Sequence, residues 1–241
     1  MSTSNTSTAD LCFTCRSKPK AAGAIYCDTC IDRQHADQER HRERALQRLH
    51  GDCPRLIRAN WANLTVDEHN RDVVSQAGKW NIDDEFEYDG GIYLWGPCGT
   101  GKSHLGFLVA TQYVSAGWDE TARFVVVRNL LAQARTAMTR GDSNPIDELL
   151  AEDISLLVLD DLGAERSTDW ARDTIATIVE ARYLQTYRPI VVTTNYSPSQ
   201  LAERLGGDDL LQGQRIVSRL LEDTLVLKLG GPDRRLQVKA A

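Results

Sequence analysis

Short apolar segments alternate with amphipathic ones from residue 54 to the end of the chain. The apolar segments have the length of buried strands and lie at 91–95, 122–127, 156–159, 190–193 and 224–229. Apolar residues recur at helical spacing between them, which predicts helices near 66–79, 102–116, 129–140, 170–186, 199–205 and 214–222. Apolar strands that alternate with helices indicate an α/β fold, with a parallel sheet covered by helices on both faces.

The first part of the chain has a different pattern. Residues 31–50 are highly charged and contain neither Gly nor Pro, so they predict a helix that ends near Gly51 and Pro54. Few of its positions are apolar, which favours a solvated connecting helix; an arm that docks on a partner or on nucleic acid is the alternative. We therefore expect an N-terminal module with its connecting helix in residues 1–52 and a larger domain in residues 53–241.

Composition and charge narrow the class of protein. The apolar fraction of 41% is that of a globular protein, and no run of about 18 apolar residues predicts a membrane span. The N-terminus lacks the basic and apolar regions of a secretory signal, so we expect a cytoplasmic protein. The net charge of −6 excludes a generally basic surface, although a local basic patch can still bind phosphates.

A phosphate-binding loop follows the first predicted strand. The pattern G-x-x-x-x-G-K-[ST] is formed by Gly96, Pro97, Cys98, Gly99, Thr100, Gly101, Lys102 and Ser103. Glycines let successive backbone N–H groups face a phosphate, and the following helix directs its positive end at the anion. In this pattern Lys102 reaches the β- and γ-phosphates of ATP and the Ser103 hydroxyl ligates Mg²⁺.

Two later strands end in polar residues. Asp160 and Asp161 follow the apolar run at 156–159, and Asn195 follows the strand at 190–193. Ligands of parallel sheets lie at the carboxyl ends of strands. We expect Asp160 to hold Mg²⁺ and Asp161 to orient the attacking water, with helix capping as the alternative. Asn195 is expected to hydrogen-bond that water or the γ-phosphate, unless it only forms a turn.

Two arginines share one face of the helix predicted at 214–222. Arg215 and Arg219 are four residues apart. A positive charge presented to the γ-phosphate of a neighbouring subunit would stabilise charge in the transition state. The alternative is a pair of surface ion pairs with Glu222 and Asp223.

Four cysteines predict a structural zinc site in the N-terminal module. Cys12 and Cys15 form one C-x-x-C pair, and Cys27 and Cys30 form a second. Two such pairs supply the four thiolates that tetrahedral zinc prefers, and they leave no open catalytic position. His35 is expected to be a solvent-facing helix residue rather than a ligand.

These motifs, in this order, resemble the AAA+ ATPases of the DnaC/IstB type, which include bacterial and phage helicase loaders and ATPases of certain transposons. The loop that continues through His104 is similar to their Walker A, residues 156–165 to their Walker B, and 193–195 to their sensor 1. Residues 215–220 resemble the segment that carries the arginine finger, with Arg219 the better match and Arg215 second. The resemblance covers residues 54–235.

The resemblance implies a function and partners. It implies ATP and Mg²⁺ bound at residues 96–104, and side-by-side self-association in which Arg219 completes the neighbouring site. It also implies single-stranded DNA bound by the assembly and, through the N-terminal module, a replicative DNA helicase. The DNA candidates on the helix near 129–140 are Arg128, Arg135 and Arg140.

The sequence departs from the family pattern at two places. Asp161 stands where many AAA+ proteins have Glu, which predicts slow or conditional hydrolysis. No separate helical lid is expected after the last strand, so we expect no sensor-2 arginine in its usual place, although Arg234 or Arg235 could substitute for it. The leading hypothesis is a helicase loader. The alternatives are a transposition ATPase that binds duplex DNA and a transposase, and a scaffold that binds ATP without turnover.

Overall fold

The computed structural model describes residues 11–21, 24–80, 90–116, 121–151, 153–185 and 188–237. The chain forms two compact units, one up to Arg44 and one from Ala45 onward. Helix α1 (Asp28–Asp52) begins in the first unit and ends in the second, so it includes the predicted helix at 31–50. No helix of the described residues is long and apolar enough to cross a lipid bilayer.

The first unit has very little apolar core. Among its described residues only Cys12 and Cys27 are buried. Backbone hydrogen bonds shape the two cysteine turns: the Cys12 N–H donates to the Lys18 carbonyl at 2.9 Å, and the Cys30 N–H donates to the Cys27 carbonyl at 2.9 Å. The sulfurs therefore occupy the centre that apolar side chains fill in larger domains.

The second unit has the predicted α/β fold. Its strands are β1 (Ile92–Trp95), β2 (Ala122–Val126), β3 (Leu156–Leu162), β4 (Ile190–Thr194) and β5 (Leu225–Lys228). Its further helices are α2 (Arg71–Lys79), α3 (Lys102–Ala116), α4 (Val127–Arg140), α5 (Pro145–Ala151), α6 (Asp169–Tyr183), α7 (Pro198–Gly206), α8 (Leu210–Leu221) and α9 (Arg234–Gln237). Short 3₁₀ turns lie at Pro54–Leu56 and Trp61–Asn63.

The five strands form one parallel sheet in the order β2-β3-β4-β1-β5. Strand β4 therefore lies between β1, which leads into the phosphate loop, and β3, which carries the two acids. This order brings the carboxyl ends of all three strands together at one edge, where α/β proteins bind their ligands.

Alternate residues of the inner strands enter two apolar layers, one on each face of the sheet, whereas the edge strand β5 buries one face only. Tyr93 and Val192 belong to the layer that includes α6 and α8, whereas Leu94 and Val191 belong to the layer that includes α3. The second layer also contains the end of α1, where Leu49 is fully buried. This two-sided burial explains why the strands carry so few polar residues.

Several elements differ from the sequence predictions. Residues 66–70 precede α2 as a loop and 3₁₀-type turn instead of forming its first turn, and α5 was not predicted. Strand β3 continues through Asp160 and Asp161 to Leu162, because a one-residue bulge lets it pair with β4 beyond the acids. The last residue of the helix predicted at 170–186 lies outside the described residues.

Candidate active site

The phosphate loop links β1 to α3 and curls by means of three glycines with positive φ. The φ angles are 143° at Gly96, 75° at Gly99 and 102° at Gly101. A Cβ atom on Gly96 would lie 2.1 Å from the carbonyl oxygen of Leu229, the residue after β5, so this close approach also requires glycine there. Helix α3 begins directly at Lys102, as the sequence motif predicts.

Lys102 is 7% exposed, and its ammonium lies inside the loop. Its Nζ donates to the carbonyl oxygens of Gly96 at 2.9 Å and Pro97 at 2.7 Å. Burial lowers the pKa of Lys102, while Cys98 and the two acids Asp161 and Asp160 oppose that shift. The two carboxylates thus favour the protonated, positively charged form of Lys102.

Asp160 is buried at the centre of the sheet edge. Its Oδ1 accepts a 2.6 Å hydrogen bond from the hydroxyl of Thr193, the fourth residue of β4. Burial raises the pKa of Asp160, while hydrogen bonds from Thr193 and Ser103 lower it. The contact with Ser103 brings together the two side chains expected to hold Mg²⁺, a hydroxyl and a carboxylate, which are oxygen ligands of the kind that Mg²⁺ prefers.

The bulge in β3 places Asp161 beside Asp160. Asp161 has a φ of 58°, a left-handed conformation that Asp tolerates better than most residues. Its backbone N–H donates to the Thr193 hydroxyl at 3.0 Å. Thr193 thus bridges both acids: it donates to one side chain and accepts from the backbone of the next residue.

The sequence interpretation did not include Thr193 among the site residues. Its strand was recognised, but the candidate chosen was Asn195, which is half-buried one residue beyond the end of β4. The neighbouring Thr194 is also buried, and its hydroxyl donates to the Leu162 carbonyl at 2.6 Å. The sequence signal that could have identified Thr193 is the presence of two polar residues, Thr193 and Thr194, at the end of the otherwise apolar strand β4.

The two candidate finger arginines lie on one helix. Both are on α8, where Arg215 is exposed and Arg219 is partly exposed. Arg219 donates to the Glu180 carboxylate, and its guanidinium lies 5.5 Å from the centre of the Tyr183 ring. It borders an open pocket of about 520 Å³, lined also by Gly91, Ile190 and Thr224, residues at the amino ends of the strands. Arg219 is therefore at the opposite edge of the sheet from the phosphate loop of its own chain.

The DNA candidates lie on or beside α4. Arg128 and Arg140 are exposed. Arg135 donates to the Thr168 hydroxyl at 3.1 Å and stacks over Trp170 at 4.9 Å. Trp170 lies on α6 and is partly exposed, and the sequence interpretation did not include it.

The four cysteines of the first unit converge as predicted. The sulfurs of Cys12, Cys15, Cys27 and Cys30 all lie within 4.8 Å of one another. Tetrahedral coordination at a Zn–S distance of about 2.3 Å separates two sulfurs by about 3.8 Å. The Sγ atoms of Cys15 and Cys27 are 3.8 Å apart, so the cluster fits this ion.

Comparison with known proteins places most of the chain in a family. Residues 30–241 match the model of the IstB-like ATP binding proteins. This chain belongs to that family. The family and the fold confirm the predicted class, a P-loop AAA+ ATPase of the DnaC/IstB type.

Two relatives of this IstB-like protein are named for different processes, one for helicase loading and one for an insertion sequence. The replicative helicase loader DnaI of Bacillus subtilis is 26% identical over 157 residues, which are 60% of this chain and 47% of the relative. An insertion-sequence ATP-binding protein of Geobacillus stearothermophilus is 24% identical over 148 residues, 61% of this chain and 56% of the relative. This chain therefore spans about half the length of these two relatives.

A solved structure extends the comparison to the fold. The crystal structure of the DnaC helicase loader superposes with a TM-score of 0.58 and 25% identity, covering 73% of this chain and 99% of that one. The superposition thus includes nearly all of the DnaC structure and about three quarters of the IstB-like chain.

Proposed function

We propose that this chain is an ATP-dependent helicase loader that acts in DNA replication in the cytoplasm. The observation that carries the proposal is the cluster of Lys102, Ser103, Asp160 and Thr193 at the carboxyl edge of the sheet, in a family that binds ATP. The similarity to DnaI supports the choice of replication over other processes that use ATP.

The roles we propose for the site residues follow their positions. Residues 96–104 hold the phosphates of ATP, with Lys102 against the β- and γ-phosphates. Ser103 and Asp160 hold Mg²⁺, which when bound neutralises phosphate charge. Asp161 accepts the proton of the attacking water or orients it, and Asn195 hydrogen-bonds the water or the γ-phosphate.

Hydrolysis requires a second copy of the chain in this proposal. Arg219 lies at the opposite edge of the sheet from the site of its own chain, so it can reach a γ-phosphate only in a neighbour. Glu180 and Tyr183 hold its guanidinium at the surface of α8 and α6. Side-by-side association then adds a positive charge where the transition state carries negative charge.

Residues 1–52 are the proposed helicase-binding part, and residues 53–241 the ATPase domain that binds single-stranded DNA. The family match begins at residue 30, so three of the four zinc ligands precede it. We therefore propose that the cysteine module is an addition to the ATPase domain, because a small zinc-bound surface is suited to recognising a protein partner.

The test measures ATP turnover and capture of the replicative helicase by the zinc-loaded protein. Stimulation of turnover by single-stranded DNA, together with a stable helicase complex, is the expected result. No capture of the helicase in the presence of zinc would refute the loader function.

The alternative is a transposition ATPase, which the similarity to the insertion-sequence protein favours. That protein would bind duplex DNA at least as well as single strands, would form long ATP-dependent filaments, and would recruit a transposase. Turnover that is stimulated only by duplex DNA, without helicase binding, would support the transposition ATPase over the helicase loader. If the protein binds ATP but shows no turnover under any condition, the remaining hypothesis is a scaffold that binds ATP without hydrolysing it.

A further inference from the structure

Arg234 joins the phosphate loop to a second loop, residues 65–70, whose Thr65 and Asp67 precede Arg234 by 169 and 167 positions in the sequence. Its backbone N–H donates to the Gly99 carbonyl at 2.9 Å, and its Nε donates to the Thr100 carbonyl at 3.2 Å. Its Nη1 and Nη2 donate to the Thr65 carbonyl at 3.4 Å and to the Asp67 carboxylate at 2.7 Å. One residue thus has two partners in each loop.

The loop of residues 65–70 is a fixed anchor for these contacts. Asn70 is only 3% exposed; its Oδ1 accepts from the Asp67 N–H at 2.8 Å, and its Nδ2 donates to the Thr65 carbonyl at 2.9 Å. Asp67 also accepts from the His69 N–H at 2.9 Å. The carbonyl and the carboxylate that receive the Arg234 guanidinium are therefore held by their own loop.

The contacts with the phosphate loop control the direction of its N–H groups. A peptide unit is planar, so the carbonyl of one residue and the N–H of the next point in opposite directions from the same plane. Holding the carbonyls of Gly99 and Thr100 therefore fixes the N–H groups of Thr100 and Gly101. Gly99 and Gly101 both have positive φ, and glycine backbones rotate readily, so these planes need an external restraint.

We propose that Arg234 is a positioning residue for nucleotide binding. It holds the peptide planes of the phosphate loop so that their N–H groups face the phosphates, and it uses the loop of residues 65–70 as its support. This inference rests on the proposed binding of ATP at the loop. It separates Arg234 from its neighbour Arg235, whose guanidinium and N–H are bound to the Asp233 carboxylate.

The experiment measures dissociation of a fluorescent ADP analogue and the melting temperature Tm for the full chain and its variants. Arg234→Ala is expected to raise both the Kd and the dissociation rate of the nucleotide about tenfold, the effect of losing a hydrogen bond of a charged group. Arg234→Lys keeps the positive charge but loses the planar set of guanidinium donors. Relative to Arg234→Ala it should therefore recover more of the Tm than of the nucleotide affinity. Arg58→Ala, which removes an exposed arginine elsewhere in this unit, should change neither.

A second variant tests the support. Asp67→Asn removes the ion pair and leaves the carbonyl contacts, so its effect on nucleotide dissociation should be smaller and should vanish in an Arg234→Ala background. Unchanged nucleotide dissociation in Arg234→Ala, with or without a lower Tm, would overturn the inference, as would additive effects in the double variant. Absence of nucleotide binding by the unmodified protein would instead refute the proposed ATP site.

Discussion

The two units of this chain owe their structure to different groups. In the first unit the buried centre consists of cysteine side chains, and no other described residue up to Arg44 is buried. In the second unit two apolar layers enclose a parallel sheet, and the polar site occupies one edge of that sheet. In the first unit the cysteines that we expect to bind zinc also form the centre of the fold. In the second unit the residues that we expect to bind ATP and the apolar residues that stabilise the fold are different.

This contrast predicts how each unit responds to the loss of one group. Removing zinc or its ligands should unfold the first unit, because about 20 residues with so few apolar side chains cannot form a core by themselves. Removing a site residue of the second unit should impair its chemistry and leave its fold, because the apolar layers remain.

The largest expected effect concerns the cysteines. The double substitution Cys12→Ser and Cys27→Ser removes two of four ligands, and zinc binding by such peptides contributes about 10–16 kcal/mol of folding free energy. We expect complete loss of bound zinc and of helicase capture, with ATP binding retained. Bound zinc is measured as zinc content, helicase capture by pull-down, and ATP binding as nucleotide affinity. Cys53→Ser is the matched control, since Cys53 lies outside the cluster; loss of ATP binding together with zinc would contradict the separation of the two units.

Arg219→Ala should have the next largest effect. Losing a finger arginine reduces the rate of phosphoryl transfer about a thousandfold, while the nucleotide affinity of each subunit stays the same because Arg219 is remote from its own phosphate loop. Steady-state turnover with single-stranded DNA and nucleotide binding separate the two quantities. Arg215→Ala is the control one turn earlier on α8; a larger loss of turnover in Arg215→Ala would exchange the roles of the two arginines.

Lys102→Ala should lower the kcat/KM for ATP by about a hundredfold, the lower end of the loss expected for one preorganised electrostatic contact. Its ammonium donates to two carbonyls of the loop, and the apolar layers do not depend on it. Turnover and Tm are the measurements. A large fall in Tm would mean that the loop and the fold are less independent than the comparison of the two units implies.

The sequence predicted the elements whose pattern is local. Helix α3 has the predicted bounds, because its start is fixed by the phosphate loop, and the four sulfurs converge because each C-x-x-C turn is short. The bulge in β3 was not predictable, since it depends on pairing with β4, more than 30 residues later. The contacts of Thr193 and Arg234 were missed for the same reason: each joins segments that only the strand order brings together.

Thr193 is the residue of the second unit at which one substitution should affect both the active site and the stability of the fold. It is 1% exposed, and its hydroxyl serves both Asp160 and the Asp161 N–H. Thr193→Val keeps the shape but leaves those two polar groups without this partner, which costs about 1–3 kcal/mol. At about 2–4 °C for each kcal/mol in a domain of this size, Tm should fall by several degrees.

The same variant should also change the pH dependence of Mg²⁺-dependent ATP binding, and this is the smallest effect we predict. Burial raises the pKa of Asp160, and the hydrogen bond from Thr193 opposes that shift. Without the bond the pKa rises further, so the carboxylate becomes protonated, and binding is lost, at a higher pH than in the unmodified protein. Thr194→Val is the matched control, because its buried hydroxyl donates to the Leu162 carbonyl and not to an acid. Both variants should lose stability, but only Thr193→Val should move the pH midpoint; an equal shift in both would show that Thr193 acts on the site only through the fold.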